Sequence, residues 1–132
     1  MRISVCLAAI LASLSGVQPV AADATGQGEY MIACAGCHGE SGKGDGPLAG
    51  LLNIDTPDLT GLAARNNGEF PFEYTLFMID RRNVIPVHGN EMPVWGDRFL
   101  ASATSQRGET GEMVARGRIL SLVYYLQSIQ EQ

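Results

Sequence analysis

The chain has 132 residues, a length that holds one domain. Hydrophobic residues make up 45% and charged residues 17%, the balance of a soluble globular protein, which excludes a disordered or fibrous chain. Net charge is −5 and Lys43 is the only lysine, so there is no basic surface to displace counterions from phosphates, and nucleic acid is excluded as a partner.

The first segment reads as a secretory leader, not as part of the fold. Arg2 supplies the positive start, residues 3–14 are apolar except for Ser4 and Ser13, and Gln18 and Pro19 precede the small residues Ala21, Ala22 and Ala24. Cleavage is expected after Ala22 or Ala24, giving a leader over 1–22 and a single domain over 23–132, exported to the periplasm. The apolar run is shorter than the roughly 20 residues of a membrane span, so no span is expected after cleavage. Cys6 leaves with the leader, and the remaining cysteines are Cys34 and Cys37. A disulfide across two intervening residues closes too short a loop to stabilise much, so this pair needs another role.

Residues 26–36 read as a helix leading into the cysteines, with Tyr30, Ala33 and Cys34 at helical spacing and Gly36 ending the run. Residues 39–51 form a glycine-rich loop. Asp58 to Thr60 can cap a short helix to Arg65, which Asn66, Asn67 and Gly68 stop. Pro71 suits the first position of a helix over 71–80, with Phe70, Tyr74, Phe77 and Met78 as its apolar stripe. Residues 83–96 carry two prolines and two glycines and read as loop. Over 109–130 the i, i+3, i+4, i+7 rule is followed by Ile119, Leu122, Val123, Leu126 and Ile129, the clearest helix of the chain. No stretch alternates strictly, so the class is all-α. About four short helices make a thin core, of the kind a cofactor commonly completes.

Cys34-Ala35-Gly36-Cys37-His38 is a C-x-x-C-H motif, the pattern of covalent haem c attachment. Two thiols three positions apart can reach the two vinyl groups on one side of a porphyrin, and the histidine that follows falls under the iron as proximal ligand. A zinc site needs four ligands, and the two histidines His38 and His88 with the two cysteines give an awkward set, because His38 adjoins Cys37. A thioredoxin-like pair needs a βαβ setting that is missing. For the other side of the iron the candidates are Met31, Met78, Met92, Met113 and His88. Met92 is favoured: it sits in a loop and is followed by Pro93, which stiffens that loop. His88 is read as an ordinary loop histidine or one near the haem edge.

The C-x-x-C-H motif followed by Met92-Pro93-Val94-Trp95-Gly96 resembles the bacterial class I monohaem c-type cytochromes, over nearly the whole chain after the leader. The loop 39–47, Pro57 to Thr60, and Ile79-Asp80 also resemble landmarks of that family. The resemblance implies a cytochrome c fold around one haem c per chain, attached through Cys34 and Cys37, with His38 and Met92 as axial iron ligands. It also implies that Gly26 and Tyr30 pack against Leu122 and Tyr125. The Pro47 carbonyl would accept from the other ring nitrogen of His38, and Trp95 would lie near the haem edge or a propionate. Two departures stand out. Arg81-Arg82 replace a position where relatives often carry glycine, and could pair with propionates, with acids of a partner, or cap the helix. Lys43 stands alone where mobile relatives present a ring of lysines, which points to a partner with a basic patch.

The expected function is single-electron transfer between a redox donor and acceptor protein, by transient docking or as a subunit of a larger complex, without catalytic residues. The rival is a haem enzyme subunit or gas sensor with an open distal site. A third reading is a thiol or zinc protein without haem.

Overall fold

A computed structural model of the chain describes residues 22–82, 92–103 and 109–131. Six α-helices follow in order: α1 Ala22–Ala33, α2 Ala35–His38, α3 Leu62–Arg65, α4 Phe72–Asp80, α5 Trp95–Ala101 and α6 Gly111–Ser128, with a 3-10 turn at Ala49–Leu51. Among the described residues there is no strand, and the all-α expectation holds, with more and shorter helical pieces than the four anticipated. Residues 1–21, which contain almost all of the expected leader, and His88 lie outside the described residues.

The C-terminal helix α6 is the spine. Thr110 caps it by accepting from the Met113 amide at 3.2 Å, and Glu112 in the first turn complements the helix dipole. Its buried face is Ala115, Ile119, Leu122, Val123, Tyr125 and Leu126, the apolar spacing of the sequence with Ala115 and Tyr125 added and Ile129, which follows the helix as its partly buried C-cap, left out. α1 packs along that face, and α4 and α5 pack on α6 and on each other. Gly26 makes the α1–α6 approach possible, since a Cβ there would collide with the Ser121 carbonyl and stand 2.8 Å from Tyr125 Cβ. Arg118 ties three helices together. It makes two 2.7 Å bonds to the Glu29 carboxylate of α1, donates to Ser102 Oγ at 2.8 Å, and lies 4.1 Å from the Phe99 ring centroid.

Several local expectations are corrected. Gly36 does not end the first helix: α1 breaks at Cys34 and α2 continues to His38, where Gly39 at φ 79° stops it. Asp58 does not cap α3, which has Gly61 at its N-terminus without a side-chain cap. Asp58 Oδ1 instead accepts from both the amide and the hydroxyl of Thr60, each at 2.7 Å, closing a turn before helical register begins. Pro71 precedes α4 rather than opening it. The buried face of α4 is Thr75, Met78 and Ile79, while Tyr74 and Phe77 are more than half exposed. Thr75 can be buried because its hydroxyl donates to the Pro71 carbonyl at 2.8 Å. The expected loop over 83–96 is shortened by α5, a seven-residue helix carried by the i, i+4 pair Trp95 and Phe99, whose rings lie 5.5 Å apart. So short a segment, with Gly96 inside it, shows no clear period in the sequence.

Candidate functional site

Cys34 sits at the junction of α1 and α2, its amide bonded to the Tyr30 carbonyl at 2.8 Å. The Cys37 and His38 amides both bond back to the Cys34 carbonyl, at 3.1 and 2.9 Å. This single tight turn gathers the two thiols and the imidazole. Both cysteines are free thiols and half-buried. Burial, followed by the charges of Cys37 and Glu29, pushes the Cys34 thiol up to about 12.

The glycine-rich loop is sewn onto this turn. Gly44, Gly46 and Leu48 donate to the carbonyls of His38, Cys37 and Gly36 at 2.8, 3.1 and 2.8 Å. At Gly46 a Cβ would stand 2.5 Å from the Gly36 carbonyl oxygen, and at Gly44, with φ +82°, it would collide with the Thr56 carbonyl. Only glycine lets the loop lie this close to α2.

Cys34, Cys37 and His38 line a cavity of about 570 Å³, and Met92, Pro93 and Trp95 line the same cavity from a distant part of the chain. Leu48, Leu52 and Ile54 help to make its walls largely apolar. Among the described residues Met92 is the only methionine in its lining: Met78 is buried in the core, and Met31 and Met113 are exposed. Among the described residues no three His, Cys, Asp or Glu side chains group as a metal-binding set, so the zinc reading finds no ligand cluster there.

His38 Nδ1 lies 3.1 Å from the carbonyl oxygen of Pro57, not of Pro47. The neighbours of Pro47, Gly46 and Leu48, are bound to the carbonyls of α2, and Pro47 itself is exposed, whereas the returning strand of loop at 54–57 runs beside the imidazole and lines the cavity. The two arginines Arg81 and Arg82 make different contacts. Arg82 bonds to the carboxylates of Asp80 and Glu112, and buried Arg81 donates to the Met92 carbonyl at 2.8 Å. Sequence reasoning missed the Arg81–Met92 contact; its one signal was an arginine at a position where glycine is common. It also missed Arg98, which lines the cavity and lies 5.3 Å from the Trp95 ring centroid.

The residues present fit a haem. Two unbridged thiols, an imidazole and a thioether are its attachment and ligand chemistry, and the cavity has the size and apolar walls of a cofactor pocket. Thr56 adds a second indication: its hydroxyl is buried without a hydrogen-bond partner in the wall of this cavity. A buried unpaired hydroxyl is costly, and an acceptor on the bound group would satisfy it.

A strand-free helical fold around a pocket with a C-x-x-C-H turn defines a c-type cytochrome. The family model described as cytochrome c matches residues 24–93, more than half of the chain, and the protein belongs to that family. It is a haem-binding electron-transfer protein. Comparison with curated proteins and with solved structures gave no match.

Proposed function

We propose that the protein is an exported monohaem cytochrome c that passes single electrons through a His/Met-ligated haem. The observation that carries this reading is that Cys34, Cys37, His38 and Met92 line one apolar cavity. The haem iron supplies the one-electron couple. Cys34 and Cys37 would hold the haem as thioethers, each S–H adding across a vinyl group with no oxidant needed. With the Pro57 carbonyl accepting from Nδ1–H of His38, the tautomer would be fixed and Nε2 would be the nitrogen offered to the iron. The Met92 thioether would serve as the second iron ligand, and thioether ligation would favour ferrous iron and raise the potential above that of a bis-histidine site. The Thr56 hydroxyl would donate to an acceptor on the haem, and Trp95 would form the wall by which a partner approaches.

The leader over 1–22 supports export to the periplasm. No helix among the described residues is long and apolar enough to cross a membrane. The redox partners are proteins with basic docking surfaces, matched to the net charge of −5. Lys43 is held by Asp58, Glu131 and the Thr60 hydroxyl, and so has little charge to offer a partner.

The test is the visible spectrum of exported, haem-loaded protein, oxidised, reduced, and reduced under carbon monoxide. The expected result is a low-spin spectrum with the weak far-red methionine-to-ferric-iron band, unchanged by carbon monoxide. A high-spin or carbon-monoxide-sensitive spectrum rejects Met92 as a firm ligand and favours the enzyme or sensor reading. Absence of all visible colour in correctly exported protein rejects haem.

A further inference from the structure

We infer that Arg81 is a positioning residue for Met92, setting how firmly the methionine holds the sixth position of the iron; the inference rests on the reading of Met92 as ligand.

Arg81 follows α4 directly, in the left-handed region at φ 54° and ψ 0°, and its amide closes the helix on the Phe77 carbonyl at 2.9 Å. A non-glycine residue is disfavoured there, and a charged residue only 7% exposed is expensive to bury unless it is hydrogen-bonded. Both penalties are accepted at one residue, whose Nη1 donates to the Met92 carbonyl at 2.8 Å. That bond is charge-assisted, hence stronger than a neutral one.

The anchor is itself rigid. Arg82 reaches Asp80 of its own turn and both carboxylate oxygens of Glu112 on α6, at 2.6 and 3.2 Å. The far side of the methionine segment rests on the same corner, because a Cβ at Gly96 would meet the Asp80 carboxylate, the Asp80 carbonyl and Arg82 Nε. Residues 80–82 therefore grip the chain at Met92 and again at Gly96, with Pro93 stiffening the piece between. The bond is made to the backbone oxygen and leaves the sulfur of Met92 available. It holds the methionine backbone against the cavity whether or not the sulfur is engaged. A sulfur that leaves the iron is then returned quickly, and an external ligand competes poorly. This is preorganisation by a neighbour of the ligand rather than by the ligand itself.

The decisive variant is Arg81→Gly. Glycine relieves the left-handed backbone and deletes the guanidinium, so the fold is retained while the grip is lost. The readout is imidazole binding to the ferric haem-loaded protein, followed by loss of the far-red methionine band, beside the unfolding midpoint by circular dichroism. Arg81→Gly is expected to bind imidazole about fivefold to thirtyfold more tightly than wild type, the factor for having to re-order about one backbone residue each time the sulfur returns. Arg81→Lys should recover part of the difference. Gly26→Ala serves as the control for stability alone: it loosens the distant α1–α6 contact and should leave imidazole affinity unchanged. Imidazole affinity of Arg81→Gly within twofold of wild type, in a wild type that shows the far-red band, overturns the inference and leaves the ligand assignment standing. A wild type without that band overturns both.

Discussion

Tyr30 of α1 lies against Tyr125 of α6 with ring centroids 5.1 Å apart and the rings inclined at 47°. Tyr30 has no exposed surface, and its hydroxyl donates to the Gly39 carbonyl at 2.6 Å. One side chain thus joins the α1–α6 crossing to the residue that ends the haem-attachment turn. Burial pushes its phenol well above the ordinary value, with lesser contributions from the charges of Cys34, Tyr125 and Asp45, so the hydroxyl stays a donor throughout the working pH range.

Tyr30→Phe keeps the ring packing and removes the bond to Gly39, whose carbonyl still accepts from the Gly42 amide at 3.2 Å. The expected cost is about 0.5–1.5 kcal/mol, read from urea unfolding. A midpoint equal to wild type would show that the bond contributes nothing net.

Two glycines of α1 should respond in opposite directions. Gly26→Ala drives a methyl into the Ser121 carbonyl and should destabilise by about 1–3 kcal/mol through forced separation of the helices. Gly28 has nothing within 4 Å of its Cβ position, so Gly28→Ala should stabilise by roughly 0.5–1 kcal/mol through helix propensity. Thermal melts of the two variants beside wild type decide it.

Acid should loosen the corner that holds the methionine segment. Hydrogen bonds from Arg82 and then Arg116 hold the Glu112 carboxyl down at about 2, against an ordinary 4.5. A carboxyl with a depressed folded pKa adds stability above its unfolded pKa and loses it as pH falls through the folded one. The contribution of Glu112 should therefore be complete above about pH 4.5 and vanish towards pH 2. Glu112→Gln should be less stable than wild type at neutral pH, with the two unfolding midpoints converging as pH approaches 2. A constant difference across that range would show that Glu112 does not titrate with folding.

Charge near the haem cavity should govern encounter more than charge elsewhere. Arg98 is exposed and lines the cavity, whereas Lys43 is held by the carboxylates of Asp58 and Glu131. With a small cationic metal complex as electron donor, the rate should fall with added salt, in keeping with the net charge of −5. Arg98→Gln should accelerate that reaction more than Lys43→Gln does. Equal effects, measured by stopped flow at low salt, would place electron entry away from Trp95.

Much of the site was legible in the residues because its signals are local. A C-x-x-C-H turn spans five residues, and its geometry follows from one helical turn, so Cys34, Cys37 and His38 could be read together. The long helix was legible for the same reason: Ile119, Leu122, Val123 and Leu126 repeat with the helical period and are all buried. α5 and the buried face of α4 were not legible. Seven residues are too few to show a period, and Thr75 replaces Tyr74 on the inner face only because its hydroxyl finds the Pro71 carbonyl.

The amino-acid order by itself determined the class of fold, the family, the C-x-x-C-H turn and the glycine loop that must lie against it, because each depends on residues close in the chain. It did not decide which carbonyl faces His38, where the resemblance pointed to Pro47 and the path of the loop chose Pro57. Nor did it decide the fate of the arginine pair. Whether Arg82 reaches Glu112 and Arg81 reaches Met92 depends on how α4 docks against α6 and how the methionine segment returns over that corner. Those contacts join residues remote in sequence, and a guanidinium follows the nearest acceptor in space, which only the packed helices bring within reach.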